Sequence, residues 1–452
     1  MLYGWYSLFD HYSTPGFALD TIPGHFHSKT LRYTALVFLA LVLLYVASYW
    51  LIRQASTISS GIKLATIMVI VGSGIVNILL YPASAIDLFY YVIELKLAYY
   101  YHQNPYLVTF LPSFAADPFA RFGWPLHTPL AYGPAWVLLA GPPTVLAGFD
   151  HLLRLLLAYK VFSFVLLILS GLVIYAYHDD EKSRWSGAYA FLANPLILYE
   201  AVGNAHNDLI MTFFLLAAVL ALKQESWLTL PLLALAALIK VFAIVLVPLF
   251  VLAIFARRWS RTKILLPALV ALAIVFVVVM PFWANGKMIG GMLRGMAFAN
   301  GLKTASVFSL ATTYLEQRQA SATTFSAVRL LFGGLFVVSA LVVVWRLRKF
   351  ELALAYVLLL LYTLVGSIQP WYWIPVIGLL ALNHDRVAFS YLVLASALAL
   401  FIYLLDVWAR FHSGLPFLQR HLLGTLVLNV PIVGFLGLEL WRSRFRGRSK
   451  GA

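Results

Sequence analysis

The chain has no cysteine among its 452 residues, and only 11% of its residues are charged. The first absence excludes disulfides and thiolate metal sites, and it leaves the redox compartment undetermined. The second excludes a soluble protein, because ordinary globular chains contain about 25% charged residues. The sequence also lacks a Gly-rich nucleotide loop, paired aspartates of the DxD kind and the His spacings of zinc sites. We therefore predict no metal, no cofactor and no soluble nucleotide-sugar enzyme.

Apolar residues make up 62% of the chain and occur in long continuous runs. A membrane-spanning helix needs about 20 such residues. The sequence therefore predicts an all-α, polytopic transmembrane protein with about 11 to 13 spanning helices and further helices at the outer membrane face. We expect one membrane domain over residues 1–452, with large outer loops at 83–150 and 285–325 and no soluble C-terminal domain.

Basic residues predict the orientation of the chain. Three basic clusters follow apolar runs, at 257–263, 346–349 and 442–450, and such clusters are typical of cytoplasmic loops. Counting spans from these clusters places both large loops outside, and it places the loop between Arg53 and Lys63 and the segments 178–185 and 223–225 inside. Topology thus accounts for most of the net charge of +15, and we predict no nucleic-acid partner. The expected location is the cell membrane, with the candidate site on the extracytoplasmic side.

Two apolar runs do not fit single straight spans. Residues 227–255 are too long for one span and are interrupted by Lys240, so we predict two short helices that meet there on the outer side. Residues 129–148 contain four prolines, and we predict a re-entrant or surface-lying segment that packs against protein.

The first candidate site begins at Asp87, directly after an early apolar run. A tyrosine-rich stretch follows, and then the sequence His-Gln-Asn-Pro-Tyr over 102–106. In a membrane chain with only 17 acids, a carboxylate near helix depth is costly and indicates function. The pattern predicts a helix at the membrane interface. Asp87 either caps this helix or acts chemically, and the residues alone favour neither.

The second candidate site lies where two spans meet on the outer side. Glu200, His206, Asn207 and Asp208 concentrate hydrogen-bonding groups in one short stretch. A polar turn in which Asp208 caps the next helix explains part of this pattern, but it does not require Glu200 and His206. Carboxylate, amide and imidazole groups together supply donors and acceptors for hydroxyls. We therefore favour a site for a sugar or for an acceptor hydroxyl.

Cations and aromatic residues complete the candidates. Lys240 has no acidic neighbour in sequence, so its ammonium group either reaches the interface or binds a lipid phosphate. Arg294 and Lys303 lie in a predicted outer loop, whereas basic residues usually concentrate in cytoplasmic loops. Binding of an anionic substrate would explain such outer cations. The segment 369–373 is either an aromatic anchor at the interface or a pocket wall for sugar rings and prenyl chains.

Together these motifs resemble the integral-membrane GT-C glycosyltransferases. They are most similar to the bacterial polyprenyl-phosphate-mannose-dependent mannosyltransferases of glycosyltransferase family 87 and their lipomannan α-1,6-mannosyltransferase relatives. The resemblance extends from about residue 84 to residue 375. Its marks, in order, are Asp87 with Asn104-Pro105-Tyr106, the segment Thr128 to Pro134, Asn194-Pro195 leading through Glu200 to Asp208, Lys240, and Pro370-Trp371-Tyr372.

The resemblance implies a GT-C-like fold and the transfer of a sugar, and mannose is the sugar we expect. The donor would be a polyprenyl-phosphate sugar and the acceptor a hydroxyl of a glycan, a glycolipid or another molecule, with inversion and without a metal. It implies that Asp87 is the general base and that Lys240, Lys303 and Arg294 bind the lipid phosphate. It assigns substrate binding to Asn104, Tyr106, Tyr132, Glu200, His206, Asn207, Asp208, Gln369, Trp371 and Tyr372.

Two other functions stay open at this point. A lipid or solute transporter of the cell envelope, such as a flippase, would use Asp87, Asp208 and Lys240 to bind an ion or a headgroup. It predicts acids near mid-membrane on paired broken helices, whereas the acids here gather at the outer ends of the apolar runs. A non-catalytic subunit of an envelope complex would instead use the basic outer loops for docking.

Overall fold

The computed structural model describes residues 28–82, 84, 87–122, 126–301, 305–347, 349–383, 386–411 and 413–446. These residues form α-helices with short 3₁₀ and π-helical segments, and no β-strand occurs among them. The predicted all-α class is confirmed.

The helices follow one another along the whole described chain. In its first part they are α1 (Ser28–Gln54), α2 (Ser60–Leu79), α3 (Asp87–Tyr99), α4 (Pro134–Ala147), α5 (Leu152–Tyr177), α6 (Glu181–Leu192), α7 (Pro195–Gly203, π-helical from Leu198), α8 (Asp208–Lys223), α9 (Thr229–Ile239) and α10 (Val247–Ala256). In its second part they are α11 (Arg261–Val279), α12 (Lys287–Gly301), α13 (Val307–Gln317), α14 (Ala322–Arg346), α15 (Phe350–Leu364), α16 (Trp373–Ala381), α17 (Arg386–Phe411) and α18 (Phe417–Arg446). The 3₁₀ segments are Ala120–Phe122, Val241–Leu246, Met280–Phe282, Ala284–Gly286 and Pro370–Tyr372.

Seven of the described helices are long and apolar enough to cross a membrane: α1, α2, α5, α11, α14, α17 and α18. Helices α7 and α8 form an eighth candidate, bent by 119° at a short break. The described chain also contains five shorter apolar helices, which are α4, α9, α15, Val241–Ala256 and Pro370–Ala381. The chain is therefore a multi-pass membrane protein, and the shorter helices bring the total into the range expected from the sequence if they also cross.

Loops that the sequence places on the cytoplasmic side meet at one end of the molecule. Lys63 Nζ lies 2.5 Å from Glu181 Oε1, and Lys223 Nζ lies 2.9 Å from Asp179 Oδ1. Lys263 Nζ lies 3.2 Å from Glu225 Oε2, and the Tyr177 hydroxyl donates to Glu351. These contacts join five parts of the chain at one end of the molecule, and the cytoplasmic side of this end stays a prediction.

Helix α3 is enclosed by protein on all faces. Every residue from Leu88 to Leu97 is buried, and the helix packs against α4 and α5. The sequence predicted an amphipathic helix at the membrane interface; the position at the interface stays a prediction, but an exposed polar face is wrong. The structure differs because the tyrosines of this stretch pack on other aromatic rings, as Tyr91 does on Tyr132, Trp136 and Tyr159.

The run around Lys240 is broken as predicted. Helix α9 ends at Ile239, Lys240 has an extended backbone, and the 3₁₀ segment Val241–Leu246 leads into α10. Helices α8 and α9 pack against each other as a hairpin. Asp208 begins this hairpin and Lys240 directly follows it, so the two residues lie at the same end.

The proline-rich run forms a short helix. Helix α4 has 14 residues, which at 1.5 Å per residue is about 21 Å and too short to span a hydrocarbon core of about 30 Å alone. The helix begins at Pro134, a residue type whose fixed φ suits the first turn. Its re-entrant or surface position stays a prediction.

Candidate functional site

Asp87 and Tyr132 form the first part of the site. Asp87 begins α3 and is partly exposed, and the Tyr132 hydroxyl donates to Asp87 Oδ1 at 3.2 Å. Tyr132 is also partly exposed, although the residues that follow it, from Gly133 to Val137, are buried. A carboxylate of this site is therefore accessible while one of its oxygens is held by a fixed donor.

The backbone around Tyr132 is fixed by close packing. The Tyr106 hydroxyl donates to the Tyr132 carbonyl at 2.8 Å, and the Gly133 amide donates to the Ile239 carbonyl at 2.9 Å. A Cβ at Gly133 would lie 1.9 Å from the Leu238 carbonyl oxygen, so only glycine permits this approach. Tyr132 is thus held directly beside the end of α9, where Lys240 follows.

Asn104 and Tyr106 support the site without reaching its centre. Asn104 Nδ2 donates to the Phe282 carbonyl at 2.9 Å, and Asn104 Oδ1 accepts from the Tyr106 amide at 3.1 Å. Tyr106 itself is buried. Substrate binding by both residues stays a prediction, and in the described contacts their polar atoms are used within the protein.

Lys240 and Asp208 form a buried ion pair. Lys240 Nζ lies 2.5 Å from Asp208 Oδ2, and both side chains are almost completely shielded from solvent. The ammonium group also lies 5.4 Å from the ring centre of Tyr132, 5.4 Å from that of Tyr372 and 5.5 Å from that of Phe242. Ring faces attract cations at these distances. Asp208 is thus the anion that balances Lys240 within the described chain.

A second buried acid lies in the bend between α7 and α8. Glu200 Oε2 lies 3.3 Å from His206 Nε2, and it accepts a hydrogen bond from Asn204 Nδ2 at 3.0 Å. The same Asn204 amide also donates to Ser84 Oγ at 2.8 Å. This network links the bend to the segment that precedes Asp87, so the two candidate sites of the sequence belong to one site.

Aromatic residues from the Pro-Trp-Tyr segment cover the site. The Trp371 ring stacks on His206 with ring centres 4.0 Å apart and an angle of 13°. Trp371 and Tyr372 are both partly exposed, and Gln369, which begins the 3₁₀ turn, is partly exposed too. The segment therefore forms a wall of the site. Its role as an aromatic anchor at the membrane interface stays a prediction.

The site residues fall into two groups by exposure. An accessible group consists of Asp87, Tyr132, Trp371 and Tyr372, which are all partly exposed. A buried group consists of Glu200, His206, Asn207 and Asp208, which are at most 1% exposed. Lys240 contacts members of both groups and is itself buried. The arrangement places an accessible carboxylate and aromatic rings over a buried, hydrogen-bonding interior.

Burial changes the proton affinity of Asp87. Burial raises the pKa of Asp87 to about 6, although the positive charge of Lys240 and the Tyr132 hydrogen bond lower it. A pKa in this range suits a general base at neutral pH, because the group is ionised yet still binds a proton well.

Arg294 and Lys303, which the resemblance implies as phosphate ligands, stay predictions. Arg294 is exposed on α12, and no described contact connects it with Lys240 or Asp87. Lys303 lies outside the described residues. Helix α12 itself packs closely on the loop that holds Tyr106, since a Cβ at Gly291 would lie 1.8 Å from the Tyr106 carbonyl oxygen. Lys240 is thus the cation of the described site.

Two buried charged residues near the site were given no role from the sequence. Lys160 in α5 donates to the carbonyls of Asn77 and Leu80 at 3.1 and 2.5 Å, so it fixes the end of α2 just before Asp87. Glu94 in α3 is buried, and neither carboxyl oxygen has a hydrogen-bond partner among the described residues. Burial raises the pKa of Glu94 well above its ordinary value. A charged residue inside an apolar run is the signal that could have identified Lys160.

Within the described residues, no three His, Cys, Asp or Glu side chains are grouped so that they could hold a metal ion. The chemistry of the described site is that of carboxylates, one ammonium group, an imidazole and amides.

Residues 13–256 match a family model, that of the MptA_B family, described as alpha-(1->6)-mannopyranosyltransferase, N-terminal domain. The matched segment covers more than half of the chain and includes Asp87, Tyr132 and the whole α8–α9 hairpin. No match was found among curated proteins.

Proposed function

Because the chain belongs to the MptA_B family of alpha-(1->6)-mannopyranosyltransferases, we propose that it transfers mannose from a polyprenyl-phosphate donor to a hydroxyl acceptor. The acceptor is a glycan or glycolipid on the extracytoplasmic face of the cell membrane. The observation that carries this proposal is the Tyr132 side chain, which joins an accessible carboxylate, Asp87, to a buried cation, Lys240. A base and a phosphate-binding cation are the two groups that such a transfer needs.

Asp87 acts as the general base in this proposal. As the acceptor oxygen forms its bond to the anomeric carbon, the acceptor proton passes to the Asp87 carboxylate. The bond between the anomeric carbon and the phosphate oxygen breaks, and its electron pair leaves with the lipid phosphate. Attack on the face opposite to the phosphate inverts the anomeric carbon. An α-linked product then requires a β-linked mannosyl phosphate as the donor.

Lys240 stabilises the departing lipid phosphate. An ammonium group has three N–H donors, and the described contacts use one of them, toward Asp208. The remaining donors suit phosphate oxygens, and a fixed cation in a buried setting stabilises developing negative charge more than it would in water. Phosphate is already a good leaving group, so no general acid is required.

The proposal is tested by replacing the base. Purified protein is given a polyprenyl-phosphate β-mannose and an α-mannoside acceptor, and mannosyl transfer is measured. We expect Asp87→Asn to lower turnover by roughly 10²- to 10⁴-fold, because a general base contributes about that much, while binding of the donor lipid persists.

Asp150→Asn is the matched control, because Asp150 is a solvent-exposed acid that pairs with Arg154 outside the site. We expect this variant to transfer mannose like the wild type. Wild-type turnover by Asp87→Asn contradicts the base assignment. Absence of transfer by the wild type with both the α- and the β-linked donor contradicts the proposed reaction itself.

A further inference from the structure

Three consecutive residues of the site bury polar atoms that have no partner. Both side-chain polar atoms of Asn207, Nδ1 of His206 and Oδ1 of Asp208 make no hydrogen bond within the described chain. All three side chains are at most 1% exposed. Leaving a buried donor or acceptor without a partner is energetically costly, so buried polar groups in proteins are normally paired. A cluster of such atoms beside the ion pair indicates a place for a polar ligand.

The position of these atoms distinguishes the donor sugar from the acceptor. Asp208, the last of the three residues, holds Lys240 at 2.5 Å. If Lys240 binds the donor phosphate, the sugar bonded to that phosphate lies directly beside it. Asn207 and His206 directly precede Asp208 in the chain and are buried with it, so we place them against that ring. Asp87 reaches Lys240 from another element, through Tyr132, and it serves the acceptor.

The chemistry of these residues suits a sugar ring. The Asn207 amide offers two N–H donors and a carbonyl acceptor, which neighbouring ring hydroxyls can satisfy together. His206 Nε2 faces Glu200, and a proton on Nε2 leaves Nδ1 as an acceptor for one more hydroxyl. Trp371 is partly exposed and stacks on the same imidazole. It is the covering side chain that we expect to move when the ring enters.

We infer that Asn207 and His206 form the subsite for the mannosyl ring of the lipid-linked donor, next to the phosphate that Lys240 binds. This inference rests on the proposed function. It assigns the buried group to recognition of the donor sugar and leaves recognition of the acceptor to the accessible group.

The test compares binding of two lipids, a polyprenyl-phosphate β-mannose and the bare polyprenyl phosphate. We expect the wild type to bind the mannosylated lipid more tightly, and Asn207→Ala to weaken that binding by roughly 10- to 100-fold, as expected for unmade hydrogen bonds to a buried amide. Binding of the bare lipid and the KM for the acceptor should stay unchanged. Asn207→Asp keeps the shape of the side chain, and it should show the same selective loss.

Asn429→Ala is the matched control, because Asn429 is a buried asparagine in α18 that donates to backbone carbonyls away from the site. It should lower the melting temperature without changing the preference for the mannosylated lipid. Unchanged preference in both Asn207 variants overturns the subsite. A raised acceptor KM with unchanged donor binding also overturns it, since Asn207 then serves the acceptor. If the wild type binds neither lipid, the proposed function fails and not the subsite alone.

Discussion

Asp87 differs from the other carboxylates of the site in being partly exposed, whereas Glu200 and Asp208 are fully buried and each faces a basic group. An acceptor hydroxyl can therefore approach Asp87 without breaking an ion pair. The Tyr132 hydroxyl leaves one carboxylate oxygen available. At the scale of single residues, accessibility separates the proposed base from acids of the same chemical type.

The pH dependence of transfer follows from the environment of Asp87. The base is active when ionised, and burial raises its pKa to about 6. We expect kcat/KM to increase with pH through an inflection near 6 and to stay constant above it. Initial rates measured with the β-mannosyl donor between pH 4.5 and 8.5 check this expectation.

Tyr132→Phe provides a matched variant for the pH profile. The Tyr132 hydroxyl lowers the pKa of Asp87 by hydrogen bonding to its ionised form. Removing that hydroxyl should move the inflection to higher pH while keeping the ring beside Lys240. A profile that is flat between pH 5 and 7, or an inflection that moves to lower pH in the variant, contradicts the assignment.

The hairpin of α8 and α9 is the element that brings opposite charges together. Lys240→Met leaves the Asp208 carboxylate buried without its cation, and breaking a buried pair in this way costs roughly 3–5 kcal/mol. We expect a lower melting temperature in detergent. The double variant Lys240→Met with Asp208→Asn removes both charges, and it should recover most of the stability. Differential scanning of the purified variants measures both effects.

Measurements of donor binding distinguish two roles of Lys240, which are binding of the lipid phosphate and balancing the charge of Asp208. The double variant should fold well, but it should bind a bare polyprenyl phosphate more weakly than the wild type does, because the phosphate has lost its ammonium partner. If the double variant binds the lipid as tightly as the wild type does, Lys240 only balances Asp208 and does not bind the donor.

Hydropathy and charge predicted much of the architecture at the scale of elements. Long apolar runs identify the spanning helices because a span needs about 20 such residues, and a charge inside such a run identified the break at Lys240. The partner of Lys240 could not be predicted, because Asp208 lies 32 residues away and meets it only through packing of the hairpin. The 119° bend between α7 and α8 lies at the break that follows a π-helical segment, and neither feature had a signal in the sequence.

The candidate site was predicted in part. Asp87, His206, Asp208 and Lys240 could be identified because charged and polar groups are costly near helix depth. Sequence spacing could not show that the Tyr106 hydroxyl is used to hold the Tyr132 backbone, or that Arg294 has no described contact with the site. Those outcomes depend on how loops far apart in sequence pack together.

At the scale of the whole molecule, two ends carry different chemistry. One end joins the predicted cytoplasmic loops by ion pairs such as Lys63 with Glu181. The other end holds Asp87 and the Asp208–Lys240 pair. The positive-inside rule assigns the first end to the cytoplasm, so the site is expected to face outward.

The absence of cysteine makes this orientation directly testable. Thr262 is exposed in the first turn of α11, within the basic cluster 257–263, and Gln317 is exposed at the end of α13. We expect Gln317→Cys to react with a membrane-impermeant maleimide in intact cells, and Thr262→Cys to react only after permeabilisation. The native chain supplies no background thiol. The reverse labelling pattern contradicts an outward-facing site.

The ion pair between Asp208 and Lys240 also has a consequence for how the protein is made. A ribosome adds about 5–20 residues per second, so Asp208 is synthesised roughly 2 to 6 seconds before Lys240. During that interval Lys223, the cation between them, lies at the opposite end of α8. A carboxylate without a partner is costly near the bilayer. We therefore expect α8 to enter the bilayer together with α9 and not before it. Formation of the site then depends on the rate at which residues 208–240 are translated.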